Sequence, residues 1–327
     1  MMVLKNGISN FYNAYCREER LSPAPLRIHY KDFAAWHNRQ VEGQILAKHR
    51  GYWQRKFSGD IPVLELKTDF PRPVTRTYRG GHIAFDLESE TGKGLKKLCR
   101  ENSASMVMLL AALLKTLLYR YTDREDIVLG LPAAGREQVE LQSQVGFYIN
   151  MLPLRTTFSG KGESFEKLLA RVKQTLLEAY EHQAYPFDSL VADLELERNT
   201  GRFPLFDVVI QYFRPGGIGA PGIDGESGSG MAGVSSSTAA LDIKSSKFDL
   251  TWNFTESPTA MSGIIIYNAD LFQRESVIIM MEKFKLLARQ IIAFPAGIPA
   301  NFEINLRLEK ELKQSSDPGD FGFDFEG

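Results

Sequence analysis

Hydrophobic and polar positions along the chain change period several times, from helical spacing to strand spacing and back. Residues 4–20 and 32–57 carry apolar side chains at helical spacing, and the prolines of residues 60–73 then favour extended chain. Residues 82–87 alternate like a half-buried strand, and Ser105 is placed to cap the apolar helix that follows. That helix is apolar almost all round, so we expect it at the centre of the fold.

The second half of the chain continues the alternation of strands and helices. Residues 126–131 and 148–155 predict two strands, and Ser164 is expected to cap a long amphipathic helix that ends at Pro186. A further strand is predicted at residues 208–213.

A hairpin and a final helix are predicted next. Residues 248–254 and 263–267 both read as strands, and residues 276–294 have the spacing of an amphipathic helix. Strands and helices that alternate in this way predict an α/β layer structure.

Composition narrows the class of protein. The chain has 327 residues, 43% of them hydrophobic, and its net charge of -1 gives no overall field that would attract nucleic acid or an anionic membrane. Cys16 and Cys99 lie far apart and without metal-ligand spacing, so we expect buried free thiols and no metal site. No apolar run reaches bilayer length and no signal peptide is visible, so a cytoplasmic location is expected.

Four short motifs carry the functional signal. They are YKDFAAW at residues 30–36, VGFYINMLPLR at 145–155, HQAYPFD at 182–188 and RNTGRFPL at 198–205. In this order and spacing the chain resembles the condensation domains of nonribosomal peptide synthetases, with further similarity at Trp53 and at residues 64–73 and 126–136. The resemblance extends over about residues 2–306.

The resemblance also points to a motif that this sequence does not contain. Condensation domains carry an HHxxxDG motif whose second histidine lines the reaction centre, and no two histidines of this chain are adjacent. By resemblance, the first residues match the helix that follows this motif. We therefore expect no catalytic residue in this chain and no condensation activity from the chain alone.

The resemblance implies a fold related to chloramphenicol acetyltransferase, a mixed sheet with flanking helices. In condensation domains this lobe occurs twice, in a V-shaped pseudodimer. Residues 1–60 would be the helical tail of the first lobe, residues 61–77 the connector and residues 78–308 the second lobe. Residues 214–240 are rich in Gly and Ser and coincide with a flexible, latch-like insert, and residues 309–327 predict a loose tail.

The activity that the resemblance implies is amide formation between a carrier-bound acyl or peptidyl thioester and a carrier-bound aminoacyl amine. It implies donor and acceptor peptidyl carrier proteins and adjacent synthetase domains as partners. The substrates would be carried on the phosphopantetheine of the carriers, and the domain itself would bind no cofactor. Such chemistry requires the reactants to be held at near-attack distance, here in a tunnel between the lobes.

Arg136 is the strongest individual candidate. By resemblance, this arginine pairs with the aspartate of HHxxxDG and clasps the two lobes, a role that suits the forked guanidinium. Composition alone favours a surface arginine, and without its aspartate we expect a solvated side chain.

The remaining site candidates belong to two of the motifs. Gly146, Tyr148 and Asn150 are expected at the floor of the tunnel, where glycine permits close backbone approach and Asn150 offers donors and an acceptor. An ordinary buried strand with a polar end is equally compatible. Arg198 and Arg202 are candidates for carrier or phosphopantetheine contacts, or for ion pairs that support the fold.

Two aromatic positions and one histidine have simpler interpretations. Tyr30 and Trp36 have helical spacing, which favours packing over ligand contact. His182 follows a predicted helix, so we expect it to cap helix carbonyls rather than to perform chemistry.

Three alternative functions remain open. The chain could be a non-catalytic condensation-like platform that binds a carrier protein or a partner enzyme such as an oxygenase. It could also be a related epimerisation or cyclisation domain, although the strings FYIN and FPLF favour condensation over epimerisation. A free-standing acyltransferase that uses acyl-CoA has less support from the motifs.

Overall fold

The computed structural model describes most of the chain. The described ranges are residues 2–23, 25–136, 138–160, 162–196, 199–214, 231–234, 243–257 and 260–304. Arg198, most of the predicted insert at 214–240 and the predicted tail at 309–327 lie outside these ranges.

Three helices precede the first strand: α1 (Met2–Cys16), α2 (Tyr30–Glu42) and α3 (Ala47–Lys56). Residues 32–57 are helical, as their spacing predicted, but they form two helices. Helix α2 ends at Gly43, and Gln44 has a φ of 56°. A residue in the left-handed region cannot continue a right-handed helix, so α3 begins anew.

The described strands form one mixed sheet. They are β1 (Gly80–Leu87), β2 (Asp126–Ala133), β3 (Asn150–Thr157), β4 (Val208–Phe213), β5 (Leu250–Glu256) and β6 (Met261–Asn268). The spatial order is β1-β6-β5-β4-β2-β3, in which β4 runs parallel to β2 and β5 and the other neighbours are antiparallel. The predicted hairpin is confirmed as β5 and β6, and β3 is an edge strand.

Helices follow or separate these strands. They are α4 (Ser89–Glu101), α5 (Met106–Thr122), α6 (Val139–Gln142), α7 (Phe165–Glu181), α8 (Phe187–Asp193) and α9 (Arg274–Ala293). The pattern did not predict α4, which contains Gly92 and Gly94, residues of low helix propensity. A Cβ atom at Gly94 would lie 2.6 Å from Ile292 of α9, so glycine lets these two helices pack closely.

Helix α5 occupies the centre of the fold, as its sequence predicted. Every side chain from Leu109 to Leu114 is fully buried, and the helix packs on α7, α9 and β2. Ser105 caps it, since its Oγ accepts a hydrogen bond from the backbone N–H of Met108 at 3.4 Å.

No single helix of the described residues is long and apolar enough to cross a membrane. Helices α4 and α5 pass that test of length and composition only as a pair, and the two are bent by 108° at the break between them.

Lys115 is a charged residue within this apolar core. Its side chain is fully buried, and its ammonium donates hydrogen bonds to the carbonyls of Ile127 at 2.6 Å and Leu154 at 2.7 Å. These carbonyls belong to β2 and β3, so the lysine ties the central helix to the outer pair of strands. Burial lowers the pKa of Lys115 to about 7, because the interior disfavours the charged form.

Lys115→Met should stabilise the protein by about 2 kcal/mol at pH 7, because an apolar side chain of similar volume avoids the desolvation of the ammonium. Since the folded pKa of about 7 lies below the ordinary 10.5, the unfolded chain binds more protons between these values. The wild type therefore gains stability as pH rises from 7 to 10, and the variant should lack this slope.

Urea unfolding at pH 7 and pH 9 measures both effects. Lys97→Met is the matched control, because the Lys97 side chain is 71% exposed and its removal should change little. A loss of stability in Lys115→Met at both pH values would show that the two carbonyl contacts outweigh the burial of the charge.

Candidate functional site

The HQAYPFD motif forms the turn between α7 and α8, and its carbonyl groups receive side chains from distant parts of the chain. Trp53 of α3 donates its Nε1–H to the carbonyl of His182 at 3.0 Å. His37 of α2 contacts the carbonyl of Ala184 through Nε2, also at 3.0 Å. A carbonyl only accepts, so Nε2 of His37 carries the proton of this contact. Both early helices are therefore fastened to one turn.

Asn150, at the start of β3, binds the other two carbonyls of this turn. Its Nδ2 group donates to the carbonyls of Gln183 and Tyr185, both at 2.8 Å. Its Oδ1 accepts from the backbone N–H groups of Met151 at 2.9 Å and Phe187 at 3.0 Å. All donors and acceptors of the amide are engaged by backbone, so Asn150 fastens a strand to a turn. It has no polar group left for a ligand in the tunnel that the sequence predicted.

Arg136 organises the segment that precedes Asn150. Its guanidinium donates to the carbonyls of Leu141, Gln144 (2.8 Å) and Gly146 (3.4 Å), and lies 4.2 Å from the ring centre of Tyr148. The expectation of a solvated side chain is wrong, because the irregular loop has carbonyls that no helix or strand satisfies. Among the described residues no carboxylate pairs with Arg136, and the predicted clasp to HHxxxDG stays a prediction.

Gly135 is placed against the same segment. It has a φ of 63°, and a Cβ atom there would lie 1.9 Å from the carbonyl oxygen of Tyr148. The position therefore demands glycine for two reasons, its left-handed backbone and the close approach of a neighbouring chain segment.

Helix α2 packs on the VGFYIN segment through aromatic side chains. A Cβ atom at Gly146 would lie 2.4 Å from the ring of Tyr30, whose hydroxyl donates to the carbonyl of Phe147 at 3.0 Å. The rings of Phe33 and Tyr148 lie 4.8 Å apart. Tyr30 therefore packs, as its spacing predicted, and the glycine of this motif makes room for a side chain rather than for a ligand.

The alternation of side chains in this segment differs from the predicted tunnel floor. Tyr148 is only 6% exposed, and its hydroxyl donates to Gln144 Oε1 at 2.7 Å. Val145, Phe147 and Ile149 are 59%, 76% and 55% exposed. The outward face of the motif is thus apolar, and we call these three residues the VFI surface.

Arg202 belongs to a buried group of charges at the starts of β4 and β5. It pairs with Asp207 and donates to the carbonyl of Leu64 at 3.1 Å. Arg72, in the segment predicted to be the connector, forms a two-pronged pair with Asp249, one contact of which measures 3.0 Å. Of the two interpretations left open for Arg202, the structure shows the ion pair that supports the fold.

Asp207 is the most strongly perturbed member of this group. Burial and the neighbouring carboxylate of Asp249 raise its pKa to about 6, despite Arg202 and Arg72. One carboxylate oxygen of Asp207 has no hydrogen-bond partner among the described residues. The cluster joins Leu64 and Arg72 to the sheet, so it holds this extended segment in place.

His182 is the C-cap residue of α7, as expected, and its backbone N–H donates to the helix carbonyl of Glu178 at 3.1 Å. Its Nδ1 lies 3.0 Å from Nδ1 of His49, and its ring stacks on Tyr52 with the centres 4.1 Å apart. Nothing in the sequence pattern signals this contact, because 133 residues separate the two histidines. In the part of the chain that the structure describes, no group of three or more His, Cys, Asp or Glu side chains is placed to hold a metal ion.

Helix α1 has an apolar stripe on its outer surface. Leu4, Ile8, Phe11 and Tyr15 are each more than half exposed and line a groove of about 840 Å³. Cys16 at the end of this helix is also exposed, so the prediction of a buried thiol is wrong for Cys16 and confirmed for Cys99.

The comparison with known families decides the identity of this architecture. The sequence profile of the condensation domain family matches residues 1–311. The chain belongs to this family. The profile match therefore confirms the family that the four motifs indicated. The relatives of this chain are much larger proteins, and it matches only part of each.

Two relatives illustrate that relation. The chain is 35% identical over 319 residues to tyrocidine synthase 3 of Brevibacillus parabrevis, a match that covers 95% of this chain and 5% of that protein. It is 33% identical over 291 residues to gramicidin S synthase 2 of Brevibacillus brevis, with 89% and 6% covered. The condensation domain chain thus spans about one twentieth of the relatives it matches.

Solved structures share the fold. The X-domain from teicoplanin biosynthesis superposes with a TM-score of 0.84 at 23% identity, covering 93% of this chain and 68% of that one. The condensation domain from the monacolin K polyketide synthase MokA gives 0.72 at 19% identity, with 88% and 66% covered. The predicted fold, a chloramphenicol acetyltransferase-like mixed sheet with flanking helices, is confirmed.

Asn150→Asp should destabilise the condensation domain chain by about 3 kcal/mol, because a carboxylate cannot donate and would face the carbonyls of Gln183 and Tyr185. Urea unfolding near pH 7 measures the change. Asn301→Asp serves as the control, since Asn301 is exposed. Equal stability of the two variants would contradict the role assigned to the Asn150 amide.

Gly135→Ala should cost about 3 kcal/mol, of which about 1 kcal/mol comes from the left-handed backbone and the rest from displacing the Tyr148 carbonyl. Gly59→Ala isolates the first contribution, because Gly59 has a φ of 73° and nothing within 4 Å of its added Cβ. Thermal unfolding of both variants gives the comparison. The explanation fails if the two substitutions cost the same.

Proposed function

We propose that this chain is the C-terminal part of a nonribosomal peptide synthetase condensation domain. The complete domain would join a carrier-bound acyl or peptidyl thioester to a carrier-bound aminoacyl amine. The family match and the peptide synthases among the relatives support this reaction class. The observation that carries the proposal is that the four motifs contact one another in the fold. Tyr30 donates to the carbonyl of Phe147, Asn150 donates to the turn at residues 182–185, and the ring of Phe203 stacks on that of Phe187 at 5.6 Å.

In this proposal the chain binds and orients, and does not supply the catalytic base. His37, His49 and His182 are already engaged in contacts within the fold. His29 and His82 have no histidine next to them in sequence, so neither provides the HHxxxDG motif. Amide formation would therefore require that motif in addition to the residues described here.

The VFI surface would face the bound acyl chains in the complete domain. Val145, Phe147 and Ile149 project from a segment that Arg136 and Asn150 hold rigidly from behind. A rigid apolar wall suits substrates that must be held at near-attack distance. The phosphopantetheine arms of donor and acceptor carrier proteins would deliver these substrates, and neighbouring synthetase domains would adjoin the chain.

A non-catalytic binding platform is the second candidate. Its support is the similarity to the X-domain, which has also been solved as a complex with OxyB from teicoplanin biosynthesis and superposes there with a TM-score of 0.80. The VFI surface and the apolar stripe of α1 would then serve partner binding.

Amide formation by the purified chain tests the leading proposal. Donor and acceptor carriers loaded with aminoacyl groups are mixed with this chain, or with a condensation domain of tyrocidine synthase 3 as the positive control. We expect dipeptidyl product above background only in the control, because the chain lacks the HHxxxDG motif.

Mass spectrometry of the carriers detects the product. The gene product that contains this chain together with any encoded HHxxxDG region is assayed in parallel. Activity of that protein supports the condensation domain, and its inactivity despite tight carrier or partner binding supports the platform. Product formation by the isolated chain would contradict the proposal that the catalytic residue lies elsewhere.

A further inference from the structure

Two histidines from distant parts of the chain form a direct contact where α3 packs on the end of α7. The Nδ1 atoms of His49 and His182 lie 3.0 Å apart, which is hydrogen-bond distance. In such a contact one ring must donate and the other must accept. The contact therefore requires that at least one of the two Nδ1 atoms carries no proton.

The surroundings of His182 disfavour its charged form. The residue is 7% exposed, and its ring stacks on Tyr52 at 4.1 Å. Burial lowers the pKa of His182, and the neighbouring His49 lowers it further. In the folded protein near neutral pH, His182 is thus an uncharged ring.

The charged groups around the pair are already matched with one another. On α3 and α7, Lys48 lies 3.0 Å from Glu181, and Glu178 accepts from Tyr52 at 3.1 Å and lies 3.6 Å from Lys56.

Further charges lie on either side of this group. Arg55 of α3 lowers the pKa of His182, and Glu181 raises it. On the side of α8, Asp193 pairs with Arg50 at 2.7 Å and accepts from the Tyr185 hydroxyl at 2.6 Å. These carboxylates therefore each have a partner, and the Lys48–Glu181 pair is exposed and weak. Glu181 favours the charged form of His182, but burial, His49, Lys48 and Arg55 outweigh it, so the pKa of His182 stays below its ordinary value.

We propose that the His49–His182 pair is a proton-sensitive fastener that holds α3 against the turn at residues 182–185 and releases it when both rings are protonated. Two imidazolium rings have no acceptor between them and repel each other. Local opening of α3 would then become more frequent, and each opening would break the Trp53 hydrogen bond to the carbonyl of His182. This proposal is independent of the proposed function.

The direction of the effect follows from proton binding. Because the folded pKa of His182 lies below its ordinary value of 6.5, the released state binds more protons in the interval between the two. The docking of α3 is therefore strongest above pH 6.5 and is lost as pH falls toward the folded pKa. Each proton taken up changes the docking equilibrium by up to about tenfold per pH unit.

The lobe itself should remain folded during this change. Helix α5 packs on α7 and α9, and all three helices pack on the sheet. The expected change is a local opening of residues 47–56, with α9 as an internal reference that keeps its protection.

Hydrogen exchange measured by mass spectrometry between pH 7.5 and 5.5 tests the proposal on the intact chain, with EDTA present to exclude a bridging metal. After correction for intrinsic exchange, opening of α3 should increase several-fold to tenfold per pH unit below pH 6.5, and that of α9 should not. His182→Gln should abolish this dependence, because glutamine does not titrate, and His49→Gln should weaken it, because the burial that lowers the pKa of His182 remains. His82→Gln is the control and should behave as wild type.

If a variant fails to fold, the wild-type protein alone can still test the proposal. NMR of the imidazole nitrogens then measures the protonation state of each histidine as a function of pH. At pH 7.5 one ring of the pair should carry its proton on Nδ1 and the other on Nε2, and His182 should titrate below pH 6.5. Titration of His182 at or above 6.5 would overturn the proposal. The proposal would also be overturned if α3 opening in the wild type did not depend on pH. It would be overturned as well if the opening depended on pH as strongly in both glutamine variants as in the wild type.

Discussion

The need to satisfy four consecutive backbone carbonyls, at residues 182–185, fixes the arrangement of the molecule. Helix α7 ends there, so these carbonyls lack the helix hydrogen bonds that they would have further up the helix, although the His182 carbonyl also accepts from the N–H of Tyr185 at 3.3 Å. Trp53, His37 and Asn150 supply the missing donors from α3, α2 and β3. A buried carbonyl left without a donor costs about 1–3 kcal/mol, and so the positions of two helices and an edge strand depend on one turn.

The same constraint, applied to an irregular loop, determines which residues face outward. Arg136 gathers three carbonyls of the loop that leads to β3, and Gly135 lets that loop approach the Tyr148 carbonyl. With the backbone held in this way, Tyr148 points inward and Phe147 points outward. The apolar surface available for function is therefore a consequence of backbone hydrogen bonding, and Arg136 shapes it from behind.

Buried charges attach two other parts of the chain to the sheet, and they do so by different means. Arg72 and Arg202 neutralise Asp249 and Asp207 at the starts of the central parallel strands, so the charges are paired. Among the described residues, the ammonium of Lys115 donates to two carbonyls, and its burial lowers its pKa. The paired charges specify where the segment around Arg72 lies, whereas the lysine specifies how the central helix meets β2 and β3.

The sequence alone determined the family, the layered fold, and the elements whose signals are local. Caps at Ser105 and Ser164, with apolar periodicity after each, sufficed for α5 and α7, and the alternation of β5 and β6 sufficed for their hairpin. The sequence alone did not predict α4, because its two glycines are unfavourable in helices, and it did not predict the end of α2 at Gly43. Only the tertiary structure decided that Asn150 is a fastener, that His49 meets His182, and that the VFI surface faces outward. Those outcomes depend on contacts between residues far apart in the chain, and a local pattern carries no information about which distant carbonyl or ring a side chain will meet.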